Sequence, residues 1–284
     1  MRSVLEAFGV EPDARLGGGG EASVYALDDR RVLRVPHAHD SVPNLEARRA
    51  LLRELGRGAV PFALPEILDV GRVEGQAYAI ERRLPGRPLM EELERADGAA
   101  RARLIQAHLD AAARLGDLHL EPRAFGDLLG PDAVTAPTWR GYLAAKAAAN
   151  LARGGPPLNA VDAVALADAL PDVTSPAFVH LDAFAGNMLT DGTSITAVLD
   201  VGPTAVAGDR RFDPVSAAVY LDAPGTTPVA ARRDAEVALG WLTAMDLRDL
   251  FEPVRRWLAA YWSFEADDRR LAAWCRTVLG AGQQ

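Results

Sequence analysis

The chain has 284 residues, more than the ~100 to 200 of an ordinary single domain, so it folds as one large domain or as two lobes around a cleft. Hydrophobic residues at 49% and charged residues at 25% exclude a disordered or collagen-like chain. With 39 acidic against 31 basic residues the net charge is −8, which excludes nucleic acid as the main partner because phosphate backbones select basic surfaces.

Thirty of the basic residues are Arg, and Lys146 is the one Lys. No run reaches the ~18 apolar residues of a membrane span, and the first residues lack the long apolar stretch of a signal peptide, so a cytoplasmic protein with no membrane partner is expected. The lone Cys275 cannot close an internal disulfide, which fits a reducing compartment.

In chain order, residues 12 to 36 read as strands and tight turns: Arg15-Leu-Gly-Gly-Gly-Gly, then Ala22 to Leu27, then a turn at Asp28 to Arg30, then Arg31 to Pro36. Asn44 to Leu55 keeps Leu45, Leu51, Leu52 and Leu55 at helical spacing, with Asn44 as a cap. Ile67 to Val73 and Ala77 to Arg82 complete a five-stranded sheet with one helix. Leu84-Pro-Gly-Arg-Pro interrupts the pattern as a linker. Beyond it, residues 99 to 120, 138 to 151, 161 to 170 and most of 214 to 279 have helical periodicity, broken by one β-type island from Ala177 to Asp200. The class is α+β, with an N-terminal unit at 1–84 and a mainly helical unit at 85–284.

Two motifs carry chemistry. Leu16-Gly-Gly-Gly-Gly-Glu-Ala-Ser-Val reads as G-x-G-x-x-A-x-V, in which small residues let backbone N–H groups close over phosphates; Gly17, Gly18, Gly19, Gly20 and Ser23 are the candidates, and a plain flexible hairpin is the alternative. His180-Leu-Asp-Ala-Phe-Ala-Gly-Asn187 followed by Val198-Leu-Asp-Val-Gly202 offers three oxygen-bearing side chains. Phosphoryl transfer needs one carboxylate to accept and orient an attacking hydroxyl, which fits Asp182, and hard oxygen ligands for Mg²⁺, which fit Asn187 and Asp200.

The segment resembles the catalytic loop of the aminoglycoside phosphotransferase and choline kinase group, distant relatives of protein kinases. Looser matches extend the resemblance through Leu16 to Tyr25, Glu46, Leu84-Pro-Gly, Leu118-His119, Thr138-Trp139 and Gly208 to Asp213. It implies a protein-kinase-like bilobal fold, ATP or GTP as donor, Mg²⁺, and a small hydroxylated acceptor of aminoglycoside or macrolide type or a related metabolite. The macrolide side rests on Arg31-Val-Leu-Arg-Val-Pro and Phe62-Ala-Leu-Pro. By the same resemblance, backbone near Arg82 to Leu84 would meet the purine, His180 would brace the catalytic loop, and Asp213 would anchor the following helix. Arg34 stands where kinases place a phosphate-binding lysine, with Glu46 on the helix as its expected partner and Glu54 as the alternative. Leu181 stands where this family usually has Gly. These two departures leave open a nucleotide-binding pseudokinase that acts through a partner protein. Asp222, Glu265, Asp267 and Asp268 could receive cationic groups of an acceptor. Trp139, Tyr142, Trp257, Tyr261 and Trp262 read as core or as pocket wall.

Overall fold

The computed structural model describes residues 2–18, 22–37, 41–221, 223, 231–265 and 267–280. It opens with a helix not expected from the sequence, α1 (Arg2–Phe8). Seven residues are too few to show a period or to be stable alone, so tertiary packing holds them. Val4 and Leu5 are buried with Val10, Tyr25, Leu33, Val35 and Ile80, and Phe8 meets Tyr78 edge-on at 4.8 Å.

The five expected strands form one antiparallel sheet in the order β1-β2-β3-β5-β4. They are β1 (Arg15–Gly18), β2 (Ala22–Ala26), β3 (Arg31–Pro36), β4 (Ile67–Val73) and β5 (Gln76–Arg82). Alternation along β3 sends Leu33 and Val35 toward α1, so Arg34 faces the other side, the side of its cross-strand partner Ala79. That face is covered by α2 (Val42–Leu55), whose Leu45, Leu51, Leu52 and Leu55 bury in the main core with Ala77 and Ala79. The helix starts two residues before the expected Asn44. Pro43 fits the first turn because no N–H is required there, and the cap is Ser41, whose hydroxyl accepts from Asn44 N–H at 3.3 Å.

The expected linker is partly a strand. Arg87–Pro88 (β6) pairs with the catalytic island, and Thr196 Oγ1 donates to Pro85 O at 2.7 Å. A short helix the sequence did not show, α3 (Leu89–Arg95), follows directly, buried through Leu89 and Leu93. α4 (Gly98–Leu115) stops five residues short of the expected Leu120, because its C-terminal cap Gly116 lies against Arg210. β7 (Phe125–Asp127) and β8 (Thr135–Ala136) precede α5 (Trp139–Gly154), capped by Thr138, and α6 (Ala163–Asp168), capped by Asp162. The β island holds β9 (Ala177–Val179), β10 (Met188–Thr190) and β11 (Ile195–Val198). A strand beyond it, β12 (Val206–Gly208), joins β7 and β9. The long helical stretch divides into α7 (Phe212–Tyr220), α8 (Ala231–Ala244), α9 (Phe251–Tyr261) and α10 (Arg269–Leu279).

Four of the five aromatic residues singled out in the sequence, Trp139, Tyr142, Trp257 and Tyr261, are core; Trp139 and Trp257 meet Phe212 edge-on at 5.0 and 5.5 Å. Beside them Asp127 accepts from Tyr142 OH and from Lys146, each at 2.8 Å. No helix among the described residues is long and apolar enough to cross a membrane.

Because Leu55 is wholly buried beneath the sheet, Leu55→Ala is expected to cost ~2 to 5 kcal/mol of stability. Ser41→Ala, which removes only the cap, is expected to cost about 1 kcal/mol. Urea denaturation midpoints at constant slope check the order of the two.

Candidate active site

The reactive side chains gather at the open end of a hairpin. β10 and β11 pair Met188 with Val198, so Asn187, just before one strand, stands beside Leu199 and Asp200, just after the other; Leu199 N–H donates to Asn187 O at 2.7 Å. Asp182 arrives from the end of β9. Asn187 Nδ2 donates to its carbonyl oxygen at 2.9 Å and to its carboxylate Oδ2 at 3.0 Å. All three side chains are half-buried, within reach of a ligand.

The backbone that aims Asp182 is pinned from several sides. Asp213 at the start of α7 accepts from the N–H groups of His180 and Leu181 at 2.8 and 3.0 Å. Leu181 has φ of +62°, a left-handed conformation that a branched side chain adopts only when its surroundings impose it. Tyr220 OH donates to Leu181 O at 2.6 Å. The ring Nε2 atoms of His108 and His180 donate to Ala183 O and Leu199 O, both at 2.8 Å. In each ring Nδ1 is buried and unbonded, so a second proton would have no partner, and burial lowers both pKa values, that of His108 to about 4.

Asp200 has φ of +55°, and Arg34 Nη2 donates to its Oδ1 at 2.7 Å. Burial pushes the carboxyl upward. The positive charges of Arg34 and Arg48 outweigh that effect and hold Asp200 ionised below its ordinary range. Asn187, with its amide nitrogen turned to Asp182, keeps Oδ1 for a cation. Together with the Asp200 carboxylate this makes two hard oxygen donors, a set that fits Mg²⁺, which takes few protein ligands and completes its shell with phosphates and water.

Across the sheet Gly17, Val24 and Arg34 stand opposite one another, which puts Gly17 roughly 10 Å from Arg34 at about 4.8 Å per strand. A Cβ at Gly18 would lie 2.8 Å from Ala22 O and 3.2 Å from Ser23 Cα, so only glycine fits this hairpin. Gly19 and Gly20 lie outside the described residues. Ser23 is buried and shares a 2.9 Å hydrogen bond with His37 Nε2. At the sheet's exit, Arg82 N–H and Arg83 N–H are bonded to Glu66 O and Arg30 O, and the Arg82 side chain pairs with Glu66. Among the described residues Leu84 N–H has no hydrogen-bond partner, which leaves it as the donor of that segment open to a ligand.

The structure does not bring Glu46 to Arg34. Glu46 lies on the exposed side of α2 against Arg49 at 3.4 Å, and Glu54 pairs with Arg123. The inward charge of the helix is Arg48. Its signal was present in the sequence, since position 48 falls on the same helical face as Leu45, Leu52 and Leu55. Among the acidic residues considered for an acceptor, Asp268 caps α10, Glu265 and Asp267 lie at the surface, and Asp222 is outside the described residues. Residues that the sequence did not single out are Tyr220 and Phe184. They meet edge-on at 6.3 Å beside Asp182, and Trp262 Nε1 donates to Tyr220 OH at 2.9 Å. A separate cavity of about 400 Å³ opens behind α2, lined by Arg49, Arg53, Arg57, Phe62 and Leu118, and contains none of the reactive side chains.

Residues 14–276 match the family model of the phosphotransferase enzymes. The chain belongs to that family. It is an enzyme that transfers a phosphoryl group to a hydroxyl. Solved structures carry the same fold. The GDP and kanamycin complex of APH(2")-IIia aligns over 98% of this chain and 96% of that one, with a TM-score of 0.63 at 15% identity. The gentamicin complex of APH(2")-IIa aligns over 95% and 91%, with a TM-score of 0.62 at 14% identity. APH(3'')-Id from Streptomyces rimosus aligns over 89% and 97%, with a TM-score of 0.55 at 19% identity. No curated protein matches significantly. The likenesses bear out the α+β, protein-kinase-like class expected from the sequence, and the family's activity disfavours the pseudokinase alternative.

His108 supplies a pH test. Its folded pKa of about 4 lies below the ordinary 6.5, so the unfolded chain takes up the proton first as pH falls. This contribution to stability is fully present above pH 6.5 and is lost between 6.5 and about 4, by up to roughly 3 kcal/mol. His108→Gln, whose amide can still donate to Ala183 O, is expected to flatten that part of the stability profile measured by denaturation at successive pH values.

Proposed function

We propose that the chain is a small-molecule kinase that moves the γ-phosphoryl group of ATP or GTP onto a hydroxyl of an antibiotic of aminoglycoside or macrolide type, or of a related metabolite. The observation that carries the reading is the junction of Asp182, Asn187 and Asp200 at one hairpin mouth, with the Arg34 guanidinium on Asp200. Residues 1–84 form the nucleotide lobe and 85–284 the catalytic and acceptor lobe, and the reaction takes place in the cytosol. The relatives' ADP and GDP complexes and their aminoglycoside complexes support donor and acceptor class.

In this mechanism Gly17 to Gly20 close over the phosphates, Leu84 N–H meets the purine edge, and Arg34 faces the phosphate oxygens. Asn187 Oδ1 and Asp200 would hold Mg²⁺, which would supply positive charge beside the transferring phosphoryl group. Asp182 accepts a hydrogen bond from the acceptor hydroxyl and aligns it for in-line attack, and the Asn187 amide fixes which carboxylate oxygen is turned to the substrate. Phe184, Tyr220 and Trp262 supply an aromatic flank to the acceptor side. Ser23 acts by holding His37 and the glycine hairpin in place, and Arg82 by its pair with Glu66.

Asp182→Ala is expected to lower kcat by ~10²- to 10⁴-fold with nucleotide affinity nearly unchanged. Mg²⁺-dependent nucleotide consumption over a panel of aminoglycosides, macrolides and hydroxylated metabolites, together with calorimetric nucleotide binding, reads both quantities. Wild-type turnover in the variant would reject the role of Asp182.

A further inference from the structure

Among the described residues of α2, Arg48 is the one charged side chain that is buried, at 6% exposure. Its guanidinium spans three elements. From the helix, Nε donates to Val201 O at 2.7 Å, and Nη1 donates to Glu81 Oε1 at 2.6 Å. Val201 follows Asp200 in the Asp200-Val-Gly turn. Glu81 is on β5, three residues before Leu84. A single planar group therefore ties the helix to the strand that leads to the nucleotide edge and to the backbone of the turn that bears the metal carboxylate. The charge order is the reverse of the one expected from the sequence: the helix contributes the cation and a strand contributes the anion, while the exposed Glu46 is turned away.

We propose that Arg48 is a positioning residue for Mg²⁺, fixing the Val201 carbonyl and so the left-handed turn at Asp200, and that the placement of α2 is read out at the metal site through this guanidinium. The inference rests on the reading of Asp200 as a metal ligand. Two observations give it content. Asp200 holds φ of +55°, a conformation that relaxes unless its neighbours restrain it, and the restraint on the adjoining carbonyl is the Nε bond. The fork of the guanidinium also points two donors in fixed directions toward Val201 and Glu81, which an ammonium on a flexible stem cannot reproduce.

The test compares Arg48→Lys, Arg48→Met and Glu81→Gln with Asp200→Asn and with Arg53→Gln, an exposed change on the same helix. The readouts are the Mg²⁺ concentration for half-maximal turnover, acceptor KM, Mg²⁺-dependent binding of a fluorescent nucleotide, and Tm. Arg48→Met is expected to raise the half-maximal Mg²⁺ concentration by roughly 10-fold, with acceptor KM within about 2-fold. Arg48→Lys should recover part of that loss, and Glu81→Gln, which keeps the Val201 bond, should show a smaller rise. Arg53→Gln should match the wild type. If Arg48→Met does not fold, Arg48→Lys and Glu81→Gln carry the comparison. Lower Tm with wild-type Mg²⁺ dependence in Arg48→Lys and Glu81→Gln would reduce Arg48 to a structural ion pair and overturn the proposal. Wild-type Mg²⁺ dependence in Asp200→Asn would overturn the metal assignment itself, and this inference with it.

Discussion

The loop that carries Asp182 depends on one buried carboxyl. Among the described residues no cation pairs with Asp213; it accepts the two consecutive N–H groups of His180 and Leu181. Two backbone donors in a dry interior need a compensating acceptor, because an unpaired buried N–H costs about as much as a lost hydrogen bond. Burial lifts this carboxyl to about 7, above its ordinary range, against the opposing pull of the two donors. With the donors fixed, the peptide at Leu181 is locked in its left-handed turn, and the next side chain, Asp182, has a single direction to take. His108, His180 and Tyr220 then pin the neighbouring carbonyls, each with one bond of 2.6 to 2.8 Å. The residue larger than glycine at 181 is thereby accommodated: its side chain is wholly buried in the main core.

Around this scaffold the charges follow from a chain that uses arginine almost exclusively. A guanidinium can satisfy two acceptors that diverge in space, a property that Arg48 uses. Arg34 takes the Asp200 carboxylate, and Arg48 joins a strand carboxylate to a loop carbonyl. Both pairs connect the five-stranded sheet and its helix to the catalytic hairpin, over separations of 166 residues for the first and 153 for the Val201 bond. The single lysine is spent elsewhere, inside the helical part on Asp127.

Much of the fold was legible because its strongest signals are local. The glycine strand, the Asp28 turn and the alternation in 31–36 and 77–82 specify hairpins, and the five strands pair in one antiparallel sheet. The His180 to Asn187 spacing and Asp200 were legible as chemistry, since few other functions ask for those groups in that order. What escaped is what tertiary contacts decide. α1 and α3 have seven residues each and exist because the sheet and the hairpin bury their apolar sides. The start of α2 was misplaced because Asn44 was read as the cap, a role that Ser41 takes. Glu46 was misplaced because the sequence offers two charged residues, two positions apart, that point to opposite sides of the helix. The burial of Leu45, Leu52 and Leu55 selects Arg48 as the inward one.

The short strand at Arg87–Pro88 sets where the molecule can bend. Through Leu189 and Thr190 it clamps the connecting segment to the catalytic hairpin, and Gly86, at φ of +114°, threads between Thr196 and Thr190 where no side chain would fit. Between the last residue of the five-stranded sheet and this clamp lie Arg83 to Gly86, and Arg83 N–H and Pro85 O are themselves bonded, to Arg30 O and to Thr196 Oγ1. A swing of the sheet over the hairpin must be absorbed by rotation about those few bonds, one of which is frozen by the proline ring.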